Sequence, residues 1–139
     1  MGKMKDNLKK IERRKFFRIS LNDPIDLRVE IISINDKEVE LNKFIEMAIT
    51  DLGAGGMRTS SYLNLPHELK MVLRLFFRFE GETFIFQGKL IRKIEKDTFN
   101  EYGIQFINVS ESEQRRLMQT INKYQLKRIK TARSGSAIP

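Results

Sequence analysis

Residues 69–90 read LKMVLRLFFRFEGETFIFQGKL and contain the longest strand signal in the chain. Apolar side chains occupy every second position over most of residues 69–79 and again over 84–90, as they do in strands with one buried face. Between the two runs, Glu80-Gly81-Glu82 fits a tight hairpin turn, because glycine accepts the backbone angles of such turns. The stretch therefore predicts an antiparallel β-hairpin.

Four further segments alternate in the same way or are bounded by turn residues at strand-like spacing: residues 25–32, 45–49, 57–59 and 102–106. Together with the hairpin they make six predicted strands with short connections. Such a set is typical of a small antiparallel barrel, which leaves no free strand edges.

The period of the apolar residues becomes helical after residue 110. Residues 110–113, SESE, form a capping box, in which serine oxygen and glutamate carboxylate satisfy each other's backbone N–H groups. Leu117, Ile121 and Tyr124 follow at spacings of four and three, so they share one helix face. The helix is predicted to run to about Lys130.

These signals predict a mainly β protein: a six-stranded antiparallel β-barrel with a basic N-terminal arm and a C-terminal α-helix. Residues 1–22 would form the basic leader and arm, and residues 23–130 the barrel with its helix. Residues 131–139 would form a disordered tail. The boundary after residue 22 rests on Asn22-Asp23-Pro24, a sequence typical of turns.

The composition limits both the chemistry and the location of the protein. Among its 139 residues there is no cysteine and one histidine, so disulfides and thiolate metal sites are excluded. We expect no catalytic residues, no metal and no cofactor, and therefore not an enzyme. Neither a long apolar run nor a signal peptide is present, which predicts a cytoplasmic protein without a membrane span.

The net charge is +8, and four cations lie within residues 12–19, ERRKFFRI. Arg14 and Arg18 are about 13 Å apart in an extended chain and about 6 Å apart in a helical turn. In either geometry both guanidinium groups can pair with phosphate or with the O6/N7 edge of guanine. The same residues also fit a solvated basic segment without a ligand.

Residues 51–56, DLGAGG, form a second cluster. Three glycines in four residues favour positive φ angles and close approach of a ligand to main-chain N–H groups. The Asp51 carboxylate can accept hydrogen bonds from N1–H and N2–H₂ of guanine, whereas adenine offers no donor at N1. Alternatively, Asp51 caps its own turn.

Taken together, the two clusters resemble the PilZ domain family of cyclic di-GMP receptors, whose motifs are Arg-x-x-x-Arg and Asp/Asn-x-Ser-x-x-Gly. The first motif is present as residues 14–18, RKFFR, and the second as residues 51–56, with Gly53 where serine is expected. The similarity continues in residues 102–106, YGIQF, and covers about residues 12–125.

The resemblance implies a bacterial second-messenger receptor that binds cyclic di-GMP. Arg14 and Arg18 would bind guanine edges and phosphates, Asp51 would read a guanine, and Gly56 would let the turn form. Arg13 matches members of the family that bind two stacked cyclic di-GMP molecules. Binding would order the arm and thereby control a partner protein in motility or exopolysaccharide production.

Three further residues belong to the predicted site. Gly53, in place of the family's serine, is expected to weaken binding about threefold to tenfold through the loss of one hydrogen bond. Phe17 would stack on a guanine or anchor the arm to the barrel. Arg58 would reach a phosphate or remain a solvated strand residue.

Two other functions fit the sequence. A PilZ-like adaptor would keep the fold and bind a partner protein without cyclic di-GMP. A nucleic-acid binder of the OB or cold-shock type would also be small, basic and mainly β. Its affinity for single strands would fall steeply with salt.

Overall fold

The structure is a computed structural model that describes residues 18–40 and 43–137, with side chains as far as residue 131. Seven strands and one helix lie in these ranges. They are β1 (Ile19–Ile34), β2 (Lys37–Glu38), β3 (Ile45–Leu52), β4 (Gly56–Ser61), β5 (Met71–Phe79), β6 (Glu82–Glu95), β7 (Asn100–Ile107) and α1 (Glu111–Ala137).

Six of the strands close into an antiparallel barrel in the order β1-β3-β4-β7-β6-β5, with β5 paired back to β1. The predicted six-stranded antiparallel barrel with a C-terminal helix is confirmed. The additional strand, β2, pairs with the end of β1 after a turn at Asn35 and Asp36, whose φ angles are 50° and 67°. The sequence does not predict β2, because two residues carry no periodicity.

The hairpin predicted from residues 69–90 is present as β5 and β6. Its turn consists of Glu80 and Gly81, with φ angles of 53° and 78°, and Phe79 pairs with Glu82 across it. Two consecutive positive φ angles match the type I′ turn, whose twist agrees with that of the paired strands. The predicted turn is therefore confirmed.

Apolar side chains fill the barrel and alternate along the strands with outward-facing polar ones. The rings of Phe77 and Phe84 stack 5.3 Å apart, and Phe86 meets Phe106 edge-on at 4.9 Å. Burying each ring stabilises the fold by roughly 1.5–3 kcal/mol. The packed interior fixes the strands, and so it also fixes the positions of the side chains on the outer face.

The helix α1 covers the barrel with the apolar face that the sequence predicts. Leu117 and Ile121 are buried, and the ring of Tyr124 lies 5.4 Å from that of Phe79. The helical periodicity therefore gave the correct buried face.

At the start of α1, the capping box is half formed. The N–H of Glu113 donates to Ser110 Oγ at 3.2 Å, as predicted. The Glu113 carboxylate does not reach back, because it accepts a charge-assisted bond from Arg116 at 2.8 Å. Arg116 also donates to Glu82 at 2.8 Å and lies 4.0 Å above the Phe84 ring. The bond to Glu113, and more weakly that to Glu82, raises the pKa of the Arg116 guanidinium above its usual value.

The helix ends later than predicted. It was expected to stop at about Lys130, with residues 131–139 as a disordered tail, but it continues to Ala137. Each further residue adds a backbone hydrogen bond, and no proline interrupts the chain before Pro139. Within the two described ranges, no helix combines the length and the apolarity needed to cross a membrane.

The first strand begins earlier than predicted. It was expected to follow a turn at Asn22-Asp23-Pro24, but β1 starts at Ile19 and passes through these residues. The register with β3 shifts between Ser20 and Ile25, as at a β-bulge, where a proline without an N–H is tolerated. The barrel therefore includes residues 19–22, which the sequence assigns to the arm.

Side chains of α1 satisfy the backbone of this shifted segment of β1. The Asn22 N–H donates to the Tyr124 hydroxyl at 2.8 Å, and Arg128 Nη1 donates to the Ser20 carbonyl oxygen at 2.8 Å. These non-local contacts replace bonds that the interrupted ladder with β3 does not make.

Candidate ligand-binding site

The glycine turn, residues 53–55, connects β3 to β4. The N–H of Gly53 donates to the Gly56 carbonyl oxygen at 3.0 Å, and the N–H of Phe106 on β7 donates to the Gly55 carbonyl oxygen at 3.0 Å. These two hydrogen bonds hold the turn against the first residue of β4 and against β7. It forms a fixed edge of the barrel and not a free loop.

Gly56, the first residue of β4, is needed for a different reason than predicted. Neither Gly56 nor the glycines of the turn have a positive φ, since Gly81 is the one glycine of that kind among the described residues. A Cβ atom on Gly56 would lie 2.5 Å from the Ile104 carbonyl oxygen, much closer than real Cβ atoms approach. Gly56 is therefore required so that β4 can approach β7, which fixes the turn through packing.

Asp51 lies on the outer face of β3, next to Arg58 in the register between β3 and β4. Arg58 Nη1 lies 3.2 Å from Asp51 Oδ2, and the Asp51 side chain is 15% exposed. Within the described residues, the Asp51 carboxylate contacts Arg58 and not the backbone of the turn. The alternative of a self-capping Asp51 is therefore not supported, and the second carboxylate oxygen has no assigned partner in this part of the chain.

Arg18 stands directly before β1, beside the same turn. Ile19 pairs with Leu52 and Ser20 pairs with Asp51, so the arm joins the barrel next to the second motif. The exposed Arg18 side chain lines a small hollow that Arg58 also lines. The structure therefore brings Arg18 near Asp51 and Arg58, which belong to the later β3–β4 hairpin.

The sequence did not single out Arg92, which lines the same hollow. The register between β6 and β7 shifts between Leu90 and Arg92. The alternation of inward and outward side chains that places Leu90 in the core therefore ends at Ile91. A periodicity argument fails at such a bulge. We call the hollow lined by Arg18, Arg58, Arg92, Glu101 and Gly103 the arginine depression, which also touches Ile94 and Tyr102.

The arginine depression carries an excess of positive charge. Its lining has three guanidinium groups against the Glu101 carboxylate, and the adjoining Asp51 neutralises Arg58. Guanidinium forks bind phosphates and guanine edges in pairs of parallel hydrogen bonds, and lysines cannot reproduce that planar match. The three guanidinium groups can therefore bind an anion together, and they are not arranged as a catalytic acid–base pair with the carboxylates beside them.

Three predicted contact residues, Arg13, Arg14 and Phe17, lie outside the described residues. Their roles stay predictions. Gly53 lies in the turn two residues after Asp51, buried and without a positive φ.

Solved structures with the same fold include YcgR from Escherichia coli in complex with c-di-GMP, with a TM-score of 0.67 and 23% identity over 88% of this chain and 50% of that one. The PilZ domain of YcgR with c-di-GMP has a TM-score of 0.60 and 26% identity, over 91% and 99% of the two chains. The Bacillus subtilis inhibitor of motility, MotI, has a TM-score of 0.62 and 16% identity, over 83% and 52%. The chain thus spans about half the length of the YcgR and MotI chains.

No curated protein sequence gives a significant match to the chain. The family model of the PilZ domain matches residues 12–123, a segment that includes both motifs, all seven strands and the first half of α1. The chain belongs to the PilZ domain family.

Proposed function

We propose that the protein is a receptor for cyclic di-GMP that binds the ligand between the N-terminal arm and the outer face of β3 and β4. The observation that carries the proposal is the register of β1 with β3, which places Arg18 beside the glycine turn and Asp51. Membership of the PilZ family and the E. coli YcgR complex with c-di-GMP support the choice of ligand.

In this proposal Asp51 reads a guanine. Its Oδ2 atom is held by Arg58 at 3.2 Å, and the carboxylate can accept the N1–H and N2–H₂ donors of the base. Adenine has no donor at N1, so Asp51 discriminates against adenine nucleotides. Arg58 acts as a positioning residue for Asp51, in place of the phosphate contact or the solvated strand position that the sequence suggests.

The arm supplies the cations. Arg14 and Arg18 bind guanine edges and phosphates, and the two negative charges of the ligand offset the repulsion between them. Gly53 in place of serine lowers the affinity without removing either arginine fork. Phe17 stacks on a base or anchors the arm to the barrel.

Ligand binding changes the start of β1, and α1 is in contact with that segment. Arg128 donates to the Ser20 carbonyl oxygen, and Tyr124 accepts from the Asn22 N–H, both at 2.8 Å. A ligand that fixes Arg18 therefore acts on backbone groups that α1 holds. We propose that the outer surface of α1 reports occupancy to a partner protein, with motility or exopolysaccharide production as the output.

Titration calorimetry with cyclic di-GMP tests the proposal. The intact protein is expected to bind it and to show no comparable affinity for GTP, cyclic di-AMP or single-stranded RNA. Arg14→Ala, Arg18→Ala and Asp51→Asn are each expected to weaken binding about tenfold to a hundredfold, because each removes a charge-assisted contact.

The matched control is Arg78→Ala, which removes an exposed arginine at the hairpin end of β5 and should change affinity by less than about twofold. An intact protein that ignores cyclic di-GMP at millimolar concentration would be a ligand-free adaptor. Preferred binding of single-stranded RNA, with a steep salt dependence, would instead identify a nucleic-acid binder.

The same titration measures the number of ligands per chain. With Arg13 next to the first motif, we propose that two stacked cyclic di-GMP molecules bind. A fitted stoichiometry of one, unchanged at higher ligand concentration, would contradict this part of the proposal alone.

A further inference from the structure

On the outer face of the barrel, four residues that are paired across neighbouring strands form a continuous row. The row starts at Asp51 and crosses three more strands. Asp51 on β3 pairs with Arg58 on β4, Arg58 pairs with Gly103 on β7, and Gly103 pairs with Arg92 on β6. Neighbouring strands are about 4.8 Å apart, so the row spans about 14 Å. A ligand with two bases and two phosphates can contact both ends of such a row.

Gly103 leaves the middle of this row without a side chain. A Cβ atom at this position would lie 3.2 Å from the Cβ and 3.8 Å from the Cδ of Arg92. The stem of Arg92 therefore lies against the bare backbone of β7, and a larger residue at position 103 would push it aside. The floor between Arg58 and Arg92 is open to a ligand because of this glycine.

Arg92 has the properties of a ligand contact and not of a structural ion pair. Its side chain is exposed, and no carboxylate of the described residues lies within salt-bridge distance of it. Glu101 lines the same depression without pairing with Arg92. The notch there has a volume of about 10 Å³, which leaves room for one oxygen-sized group.

We propose that Arg92 is an additional ligand residue that binds a phosphate of cyclic di-GMP, with Gly103 as the floor that keeps it in place. This inference rests on the proposed function. It extends the binding site beyond the two sequence motifs to a third position on β6. The phosphate oxygen enters the notch of the arginine depression, and Arg92 offers its planar fork to it.

The first experiment compares Arg92→Ala, Arg92→Lys and Gly103→Ala with the intact protein by titration calorimetry with cyclic di-GMP. We expect Arg92→Ala to weaken binding at least about tenfold, since a charge-assisted bond is lost. Arg92→Lys should lie in between, because lysine keeps the charge but not the fork. Gly103→Ala keeps every charge and should weaken binding by displacing Arg92. Arg78→Ala is the control, and circular dichroism checks that each variant is folded.

The second experiment identifies the ligand group that Arg92 contacts. Under saturating cyclic di-GMP, the ³¹P resonances of the bound ligand should differ between the intact protein and Arg92→Ala. Unchanged ³¹P resonances together with weaker binding would place Arg92 on a guanine and overturn the phosphate assignment.

The outcomes separate the inference from the function on which it rests. If the intact protein does not bind cyclic di-GMP, the proposed function is wrong and the role of Arg92 falls with it. If the intact protein binds, and Arg92→Ala binds as tightly as Arg78→Ala, the inference alone is overturned.

Discussion

Arginine is used in two different ways near the two ends of β6. At the hairpin end, Arg116 bonds to Glu113 and Glu82, donates to the Thr83 carbonyl oxygen at 3.0 Å and covers the Phe84 ring. We call this group the helix clamp. The arginine depression, in contrast, gathers three guanidinium groups around fewer carboxylates.

The difference shows what separates an arginine used for structure from one that is available to a ligand. In the helix clamp the protein itself accepts hydrogen bonds from four of the five N–H donors of the Arg116 guanidinium, so little remains for a ligand. In the arginine depression the positive charges are held side by side by the strands, at some electrostatic cost, and a bound anion would remove that cost. Net charge alone does not distinguish the two kinds of arginine, because every arginine side chain adds the same single positive charge to it.

The largest expected effect is on the helix clamp. Arg116→Ala should lower the free energy of unfolding by about 2 kcal/mol, from the ring contact and the bond to the Thr83 carbonyl oxygen. The ion pairs add little, because the side chain is 34% exposed and solvent screens them. Urea unfolding measures the change, and the exposed neighbour Arg115→Ala should shift it by less than about 0.5 kcal/mol. If Arg116→Ala weakened cyclic di-GMP binding and left the free energy of unfolding unchanged, Arg116 would be a ligand residue, and the two regions would not differ in the way described.

A smaller effect is expected at the glycine turn. Gly53→Ser should tighten cyclic di-GMP binding about threefold to tenfold by restoring a hydroxyl donor, and the backbone allows it because φ is not positive at this position. Gly53→Ala is the matched control, since it adds the Cβ atom without the hydroxyl and should bring no gain. Equal affinities of the serine and alanine variants, measured by calorimetry, would show that the hydroxyl does not reach the ligand.

The smallest effect tests the contact between α1 and β1. Tyr124→Phe removes the acceptor of the Asn22 N–H and should lower the free energy of unfolding by about 0.5 kcal/mol, since water replaces an exposed partner. Hydrogen exchange at Asn22 should become faster, and bound cyclic di-GMP should slow it again. Tyr62→Phe serves as the control, because Tyr62 is 87% exposed. An exchange rate at Asn22 that is the same in both variants would disprove the contact.

Much of the fold follows from local patterns in the sequence. The β5–β6 hairpin was predictable because its alternation is long and its turn needs Gly81 at positive φ. The helix face was predictable from the spacing of Leu117, Ile121 and Tyr124. The start of β1 was not, because residues typical of a turn also fit a bulge whose backbone is satisfied by side chains a hundred residues away.

The candidate site was only partly predictable, because some of its features depend on contacts between residues that are far apart in sequence. Asp51 and the glycine turn lie in one short motif, and Arg18 in another, so a sequence can reveal them. The need for Gly56 comes from the carbonyl oxygen of Ile104 on β7, a contact that no local pattern encodes. The sequence does not predict the outward position of Arg92, because a bulge on β6 interrupts the alternation that identifies outward-facing residues.

Closure of the barrel through β1 and β5 has a consequence for how the protein folds. Leu27 pairs with Phe77, about fifty residues later, and Arg58 pairs with Gly103 across a similar distance. Pairings of such sequence separation form slowly, after hairpins between neighbouring strands, and during synthesis they must wait for the later strands to emerge. The row of residues from Asp51 to Arg92 is therefore complete only after β7 has paired with β4 and β6, and a ligand bound there would stabilise only the finished barrel by mass action.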